Sequence, residues 1–167
     1  DFDDASTNHR YAEMDGLSTL ISRTASMLAS KGIVLVNSAG NDVMGTWKKI
    51  NFPADAKDII TVGAVTPLGI NAAFCGVGPT QDGRIKPDVM AYGSPTSVIS
   101  GRGTIVDEMG TSFSAPLVAG MVACLWQALP NKTAREIIDL VISSGNNVTT
   151  PNNIYGYGIP DFWKAYN

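Results

Sequence analysis

From Ser114 to Leu129 the chain carries no charged residue, and Pro130 stops the run. A helix written this way is apolar on every side, so in water it must lie buried in the middle of something. The segment contains Ser, Gly and Gln127 and falls short of the ~20 apolar residues a bilayer requires, so no membrane span is expected. What would cover such a helix is visible upstream. Ile33 to Val36 and Ile59 to Val65 are apolar, β-branched runs without polar alternation, the pattern of parallel strands covered on both faces. The predicted fold class is α/β, a three-layer arrangement of a mostly parallel sheet flanked by helices, with the buried central helix starting near Ser112.

The other elements fit that plan. Leu17, Leu20, Ile21, Thr24 and Leu28 recur at helical spacing up to Lys31-Gly32, a helix expected to cross one face of the sheet before the Ile33 strand. Arg84 to Ala91 reads as a further strand leading toward Ser112. Thr133-Ala134-Arg135-Glu136 spells a capping box, with Ile137, Ile138, Val141 and Ile142 as its apolar face and Gly145 as the stop. Tyr155 to Asp161 turns into a short final helix. With 44% hydrophobic and 16% charged residues the chain can build a core. A net charge of −3 without a Lys/Arg cluster leaves no footprint for nucleic acid or an anionic membrane.

Two positions carry chemistry. Ser112 sits where the turn at Gly110 enters the apolar helix. The first N–H groups of a helix lack intrahelical partners, and its dipole favours negative charge, so an oxyanion formed there would be stabilised. Asn41 follows the Ile33 strand at its carboxyl end, where ligands of parallel α/β sheets collect. Taken singly, each has an ordinary explanation, an N-cap serine and a turn asparagine.

The strings around them change that balance. Gly110-Thr111-Ser112-Phe113-Ser114-Ala115-Pro116-Leu117-Val118-Ala119-Gly120 closely resembles the nucleophile motif of the subtilisin-like serine peptidases. Ile33 to Asp42, through Ala39-Gly40-Asn41, is similar to the family segment whose Asn donates its amide to the oxyanion hole. Ile59 to Val65 and the Lys86-Pro87-Asp88 strand resemble the stretches between, although Ala91-Tyr92-Gly93 stands where the family has Ala-Pro-Gly. The resemblance implies a serine endopeptidase acting through an acyl-enzyme, with Ser112 as nucleophile, Asn41 in the oxyanion hole, and Ser38, Ala39, Gly40 and Pro53 lining part of the substrate pocket. It also implies a cis peptide at Phe52-Pro53. The chemistry needs no cofactor and no metal, and structural calcium is left open.

The family triad runs Asp, His, Ser along the chain. His9 lacks the family's His-Gly-Thr setting and reads as a loop residue; Asp15 follows it and reads as a loop or helix-entry Asp. Residues 1–167 are therefore expected to be the C-terminal portion of one catalytic domain, with residues 1–12 an unassigned lead-in. Its Asp and His lie upstream, and the isolated chain is expected to be inactive. Partners are then a peptide or protein substrate, the missing N-terminal part, and, through the edge of the Ile33 strand, a second copy of the fragment. The family implies a secreted or cell-surface protein. Alternatives are a subtilisin-like pseudoprotease acting as a binding domain and an unrelated α/β hydrolase, the latter disfavoured because Gly110-Thr111-Ser112-Phe113-Ser114 lacks a closing Gly and no His follows. Cys75 and Cys124 have no metal or disulfide spacing and are expected to pack as small apolar residues. Gly76-Val77-Gly78 and Gly101-Arg102-Gly103 read as turns. The sequons at Asn131 and Asn147 are given no role.

Overall fold

The computed structural model describes residues 4–167; residues 1–3 of the lead-in lie outside it. Its centre is a parallel three-stranded sheet in the order β1-β2-β3, with β1 Val36–Ser38, β2 Ile60–Val65 and β3 Val89–Tyr92. Every residue of β2 is buried, as an uninterrupted β-branched run in a middle strand requires. β1 is half-buried and pairs only with β2 among the described residues, so it forms one edge of the sheet.

The Lys86-Pro87-Asp88 motif explains how β2 and β3 are held in register. The Asp88 carboxylate accepts from the Thr61 N–H at 2.7 Å and from Lys86 Nζ at 2.6 Å, while Lys86 Nζ also reaches Thr61 Oγ1 at 3.0 Å. Lys86 and Asp88 are both buried. An ion pair in such a place is tolerated only because each member is paired and hydrogen-bonded. The C-terminal glycine segment closes over the same strand, with the Met90 N–H donating to the Gly158 carbonyl at 3.0 Å.

Helix α2, Thr111–Ala128, packs across all three strands through Val118, Val122 and Leu125, which join Ile60, Val62 and Val89 in one core. Helices α3, Ala134–Ser143, and α4, Phe162–Tyr166, complete that layer. The capping box of α3 forms as expected, and the Thr133 N–H, followed by the Lys132 ammonium, holds the Glu136 carboxyl down to about 2.

Three features depart from the sequence reading. α2 buries one face, whereas Leu117, Met121 and Cys124 on the opposite face are exposed. Its composition is uniformly apolar, so residue identity could not distinguish the two faces. The expectation that Cys124 packs in the core is thereby corrected. By length and composition α2 would also pass for a membrane span, but its buried face is seated on the sheet.

The first helix, α1 Leu20–Ser26, turns the other way from its leucine spacing. Leu17, Leu20 and Ile21 are exposed, and the buried residues are Ser22 and Ala25. A buried carboxylate decides this orientation. Asp55 is fully buried and accepts from Ser22 Oγ at 2.5 Å and from the Gly16 N–H at 2.8 Å, pulling the polar face inward. Finally, residues 96–108 form an antiparallel hairpin of β4 Thr96–Ile99 and β5 Ile105–Glu108, beside the parallel sheet, around the turn containing Gly101-Arg102-Gly103.

Replacing Asp55 with Ala strands the Gly16 N–H and the Ser22 hydroxyl in the interior. Urea unfolding of Asp55→Ala should show a loss of roughly 2–3 kcal/mol. An unchanged midpoint would mean that α1 is not anchored by this carboxylate.

Candidate active site

The carboxyl end of β1 and the amino end of α2 meet through one side chain. Asn41 Oδ1 accepts from the Thr111 N–H and from Thr111 Oγ1, each at 2.9 Å. Thr111 Oγ1 in turn accepts from the Gly40 N–H at 3.1 Å. Both donors on Thr111 address the oxygen of the Asn41 amide, so the amide can be oriented only one way. Its nitrogen is left to donate elsewhere.

Ser112 is the next residue. It occupies the second helical position, where the backbone N–H has no intrahelical partner, and it is exposed. Pro116, one turn on, lacks the N–H that would otherwise bond the Ser112 carbonyl. Gly110 takes φ of 153°, and a Cβ there would stand 3.4 Å from Asn41 Nδ2. The turn therefore lies close against the amide, in a conformation few side-chain-bearing residues adopt. Gly110 is fastened to the end of β3 by its N–H, which donates to the Gly93 carbonyl at 2.9 Å. An N–H at a helix start, an oriented carboxamide and an exposed hydroxyl are the parts an oxyanion site requires.

Two cavities adjoin these groups. An open groove of about 450 Å³ is lined by Ser112, Pro116 and Ala119 of α2 and by Val36, Asn37 and Ser38 of β1. The second, about 430 Å³, begins at Asp42, immediately after Asn41, and is lined by Asn8, His9, Trp47, Asn51 and Phe52 among others. Ser38 thus shares a groove with Ser112. Ala39 and Gly40 are buried, and neither lines either of these two cavities. At the Phe52-Pro53 peptide, which is cis as expected, Phe52 lines the second cavity and Pro53 does not.

His9 belongs to this second cavity, its ring 5.1 Å from that of Phe52 and its Nδ1 3.4 Å from Glu13 Oε1. Asp15 caps the chain before α1, and the Ser18 hydroxyl, then the Leu17 and Ser18 N–H groups, lower its carboxyl to about 2. Neither residue lines the Ser112 groove. Thr111 was not singled out by sequence reasoning, although it stands inside the Gly-Thr-Ser string. Trp47 and Asn51 carry no motif in the sequence, and only the folding of their loop brings them to the cavity.

Residues 5–158 match the subtilase family of peptidases, peptidase S8. The chain belongs to the subtilase family. It is similar to the subtilisin-like protease SBT6.1 of Arabidopsis thaliana, with 32% identity over 157 residues covering 83% of this chain and 14% of that protein. Subtilisin NAT of Bacillus subtilis subsp. natto is 33% identical over 143 residues, 84% of this chain and 35% of the relative. The crystal structure of MycP1, from the ESX-1 type VII secretion system, shares the fold with a TM-score of 0.71 at 22% identity, covering 90% of this chain and 46% of that one. This subtilase chain accordingly spans less than half the length of each of these three.

The two thiols differ sharply in this setting. Cys75 is fully buried, and burial pushes its thiol up to about 11, whereas Cys124 is exposed on α2. The thiolate is the reactive form. With a thiol-specific chromogenic reagent at pH 8, the folded chain diluted to the point where it does not self-associate should release one equivalent promptly and the second only on unfolding; prompt release of two would contradict the placement of Cys75.

Proposed function

We propose that this chain is the nucleophile-bearing C-terminal part of a single subtilisin-like catalytic domain, and that the full-length protein is a serine endopeptidase. The observation that supports the reading is the pair of hydrogen bonds from Thr111 to Asn41 Oδ1, which leaves Asn41 Nδ2 to donate elsewhere, close to the Gly110 turn that leads to Ser112. In the reaction, Ser112 Oγ attacks a peptide carbonyl and its proton passes to a histidine supplied from upstream. The oxyanion is met by the Asn41 amide and the Ser112 N–H. Collapse expels the amine, and water releases the acyl group. The route uses protein groups alone, so no cofactor enters it.

Thr111 is a positioning residue in this scheme. The cavity beginning at Asp42 takes the side chain on the acyl side of the scissile bond, and the Ser112 groove holds backbone near Ser38. The upstream part of the domain covers the outer edge of β1 and the exposed apolar face of α2, and supplies the triad Asp and His. The family resemblance supports a secreted or cell-surface location. A pseudoprotease would have no need of an oriented Asn41 amide.

In the full-length protein, Ser112→Ala should abolish cleavage of a peptide substrate, and Asn41→Leu should lower kcat about 10²–10³-fold with KM little changed. Unaltered turnover in Ser112→Ala would overturn the assignment. The isolated chain has no general base and should not be labelled by a fluorophosphonate at the rate of an active serine peptidase. With the β1 edge and the Leu117–Met121 face uncovered, that isolated chain should self-associate in sedimentation experiments, and a strictly monomeric species would contradict this.

A further inference from the structure

The cavity next to Asn41 is chemically uneven. One side is aromatic: the Phe52 ring lies 5.1 Å from His9 and 6.2 Å from Trp47, and Trp47 is held by its indole N–H on the Ile50 carbonyl at 2.8 Å. The other side carries a carboxylate. Asn51 Nδ2 donates to Asp42 Oδ2 at 2.5 Å, which engages one carboxylate oxygen and turns the Asn51 amide so that its own oxygen is also an acceptor. Asn51 cannot move away from this position easily. Its backbone N–H donates to the Ala39 carbonyl at 2.8 Å, and a Cβ on Gly40 would lie 2.7 Å from its Cγ.

The lysines of the same loop do not neutralise Asp42 by pairing with it. Lys48 Nζ donates to the Val43 carbonyl at 3.0 Å, and Lys49 Nζ to the Gly78 carbonyl at 2.9 Å while standing over the Tyr11 ring. Asp42 and Asn51, a carboxylate and a carboxamide bonded to each other, therefore line a space of about 430 Å³ whose other walls include the rings of His9, Trp47 and Phe52. An apolar occupant would strip water from those oxygens without replacing it. An acidic one would meet a like charge. A long aliphatic stem ending in a cation satisfies both sides, its methylenes against the rings and its N–H groups on Asp42 and Asn51.

We propose that this cavity selects a cationic side chain, lysine or arginine, with Asp42 as its charge partner and Asn51 as the residue that positions Asp42. The inference rests on the reading of the cavity as the pocket for the residue before the scissile bond, and it adds the chemical class of that residue.

Two measurements on the full-length protein test it. In calorimetric titration benzamidine should bind about tenfold or more tighter than neutral benzamide, and Asp42→Asn should bring the two within about threefold. In a peptide series varied only before the scissile bond, the kcat/KM ratio of Arg to Phe should exceed one and should fall about tenfold or more in Asp42→Asn, with Asp42→Glu retaining most of it. Equal binding of the two probes, or a ratio indifferent to Asp42→Asn, would overturn the inference. Selective benzamidine binding without any peptide cleavage would uphold the cavity's preference for a cation and sink the peptidase reading instead.

Discussion

In the proposed reading, every catalytic role depends on how Asn41 is held. A carboxamide at the end of an edge strand is free to rotate, and a rotated one would aim its oxygen at a developing negative charge and repel it. Two hydrogen bonds from Thr111 remove that freedom, and because Thr111 is also the first residue of α2, the same contact places the start of that helix. The pre-set donor is what gives an oxyanion site its effect, since no reorganisation is required when charge appears. Strand end, amide and helix start are one unit, and Ser112 takes its place from it.

The architecture around that unit is a way of making it rigid. The Lys86–Asp88 pair fixes β2 against β3, and Gly93 at the end of β3 fastens Gly110, so the turn before Ser112 is tied to the sheet. Asp55 does similar work on the opposite flank, where it orders the approach to β1 by gripping Gly16 and Ser22. In both places a buried carboxylate is acceptable because it is hydrogen-bonded, Asp55 through both oxygens and Asp88 through Oδ2 to Thr61 and Lys86.

Much of this could be read from the residues. The Gly-Thr-Ser and Ala-Gly-Asn strings, the buried middle strand, the Thr133–Glu136 box and the cis peptide at Phe52-Pro53 are all local matters of residue order, and each stands where its string indicated. What could not be read depends on which face a helix turns inward. Leucine spacing points α1 in the direction opposite to that imposed by Asp55, a residue far along the chain, and uniform apolarity gives α2 no preferred face at all. The hairpin of residues 96–108 mixes β-branched, polar and charged residues and offered no run to notice. The cavity walled by His9, Trp47 and Phe52 is assembled from distant segments, so only the folded chain brings it together.

α2 and β1 are exposed on the faces that the proposed upstream part of the domain would cover, and the chain spans less than half the length of SBT6.1, subtilisin NAT and MycP1. A helix apolar on every side has been given a partner for one face only. The most direct test of the account is a crystal structure of the full-length protein with a peptide boronate or aldehyde bonded to Ser112 Oγ. The account places the adduct's oxyanion-side oxygen about 3 Å from Asn41 Nδ2, with Asn41 Oδ1 still on Thr111. An adduct oxygen remote from Asn41, or an amide reversed so that Oδ1 faces the adduct, would contradict it.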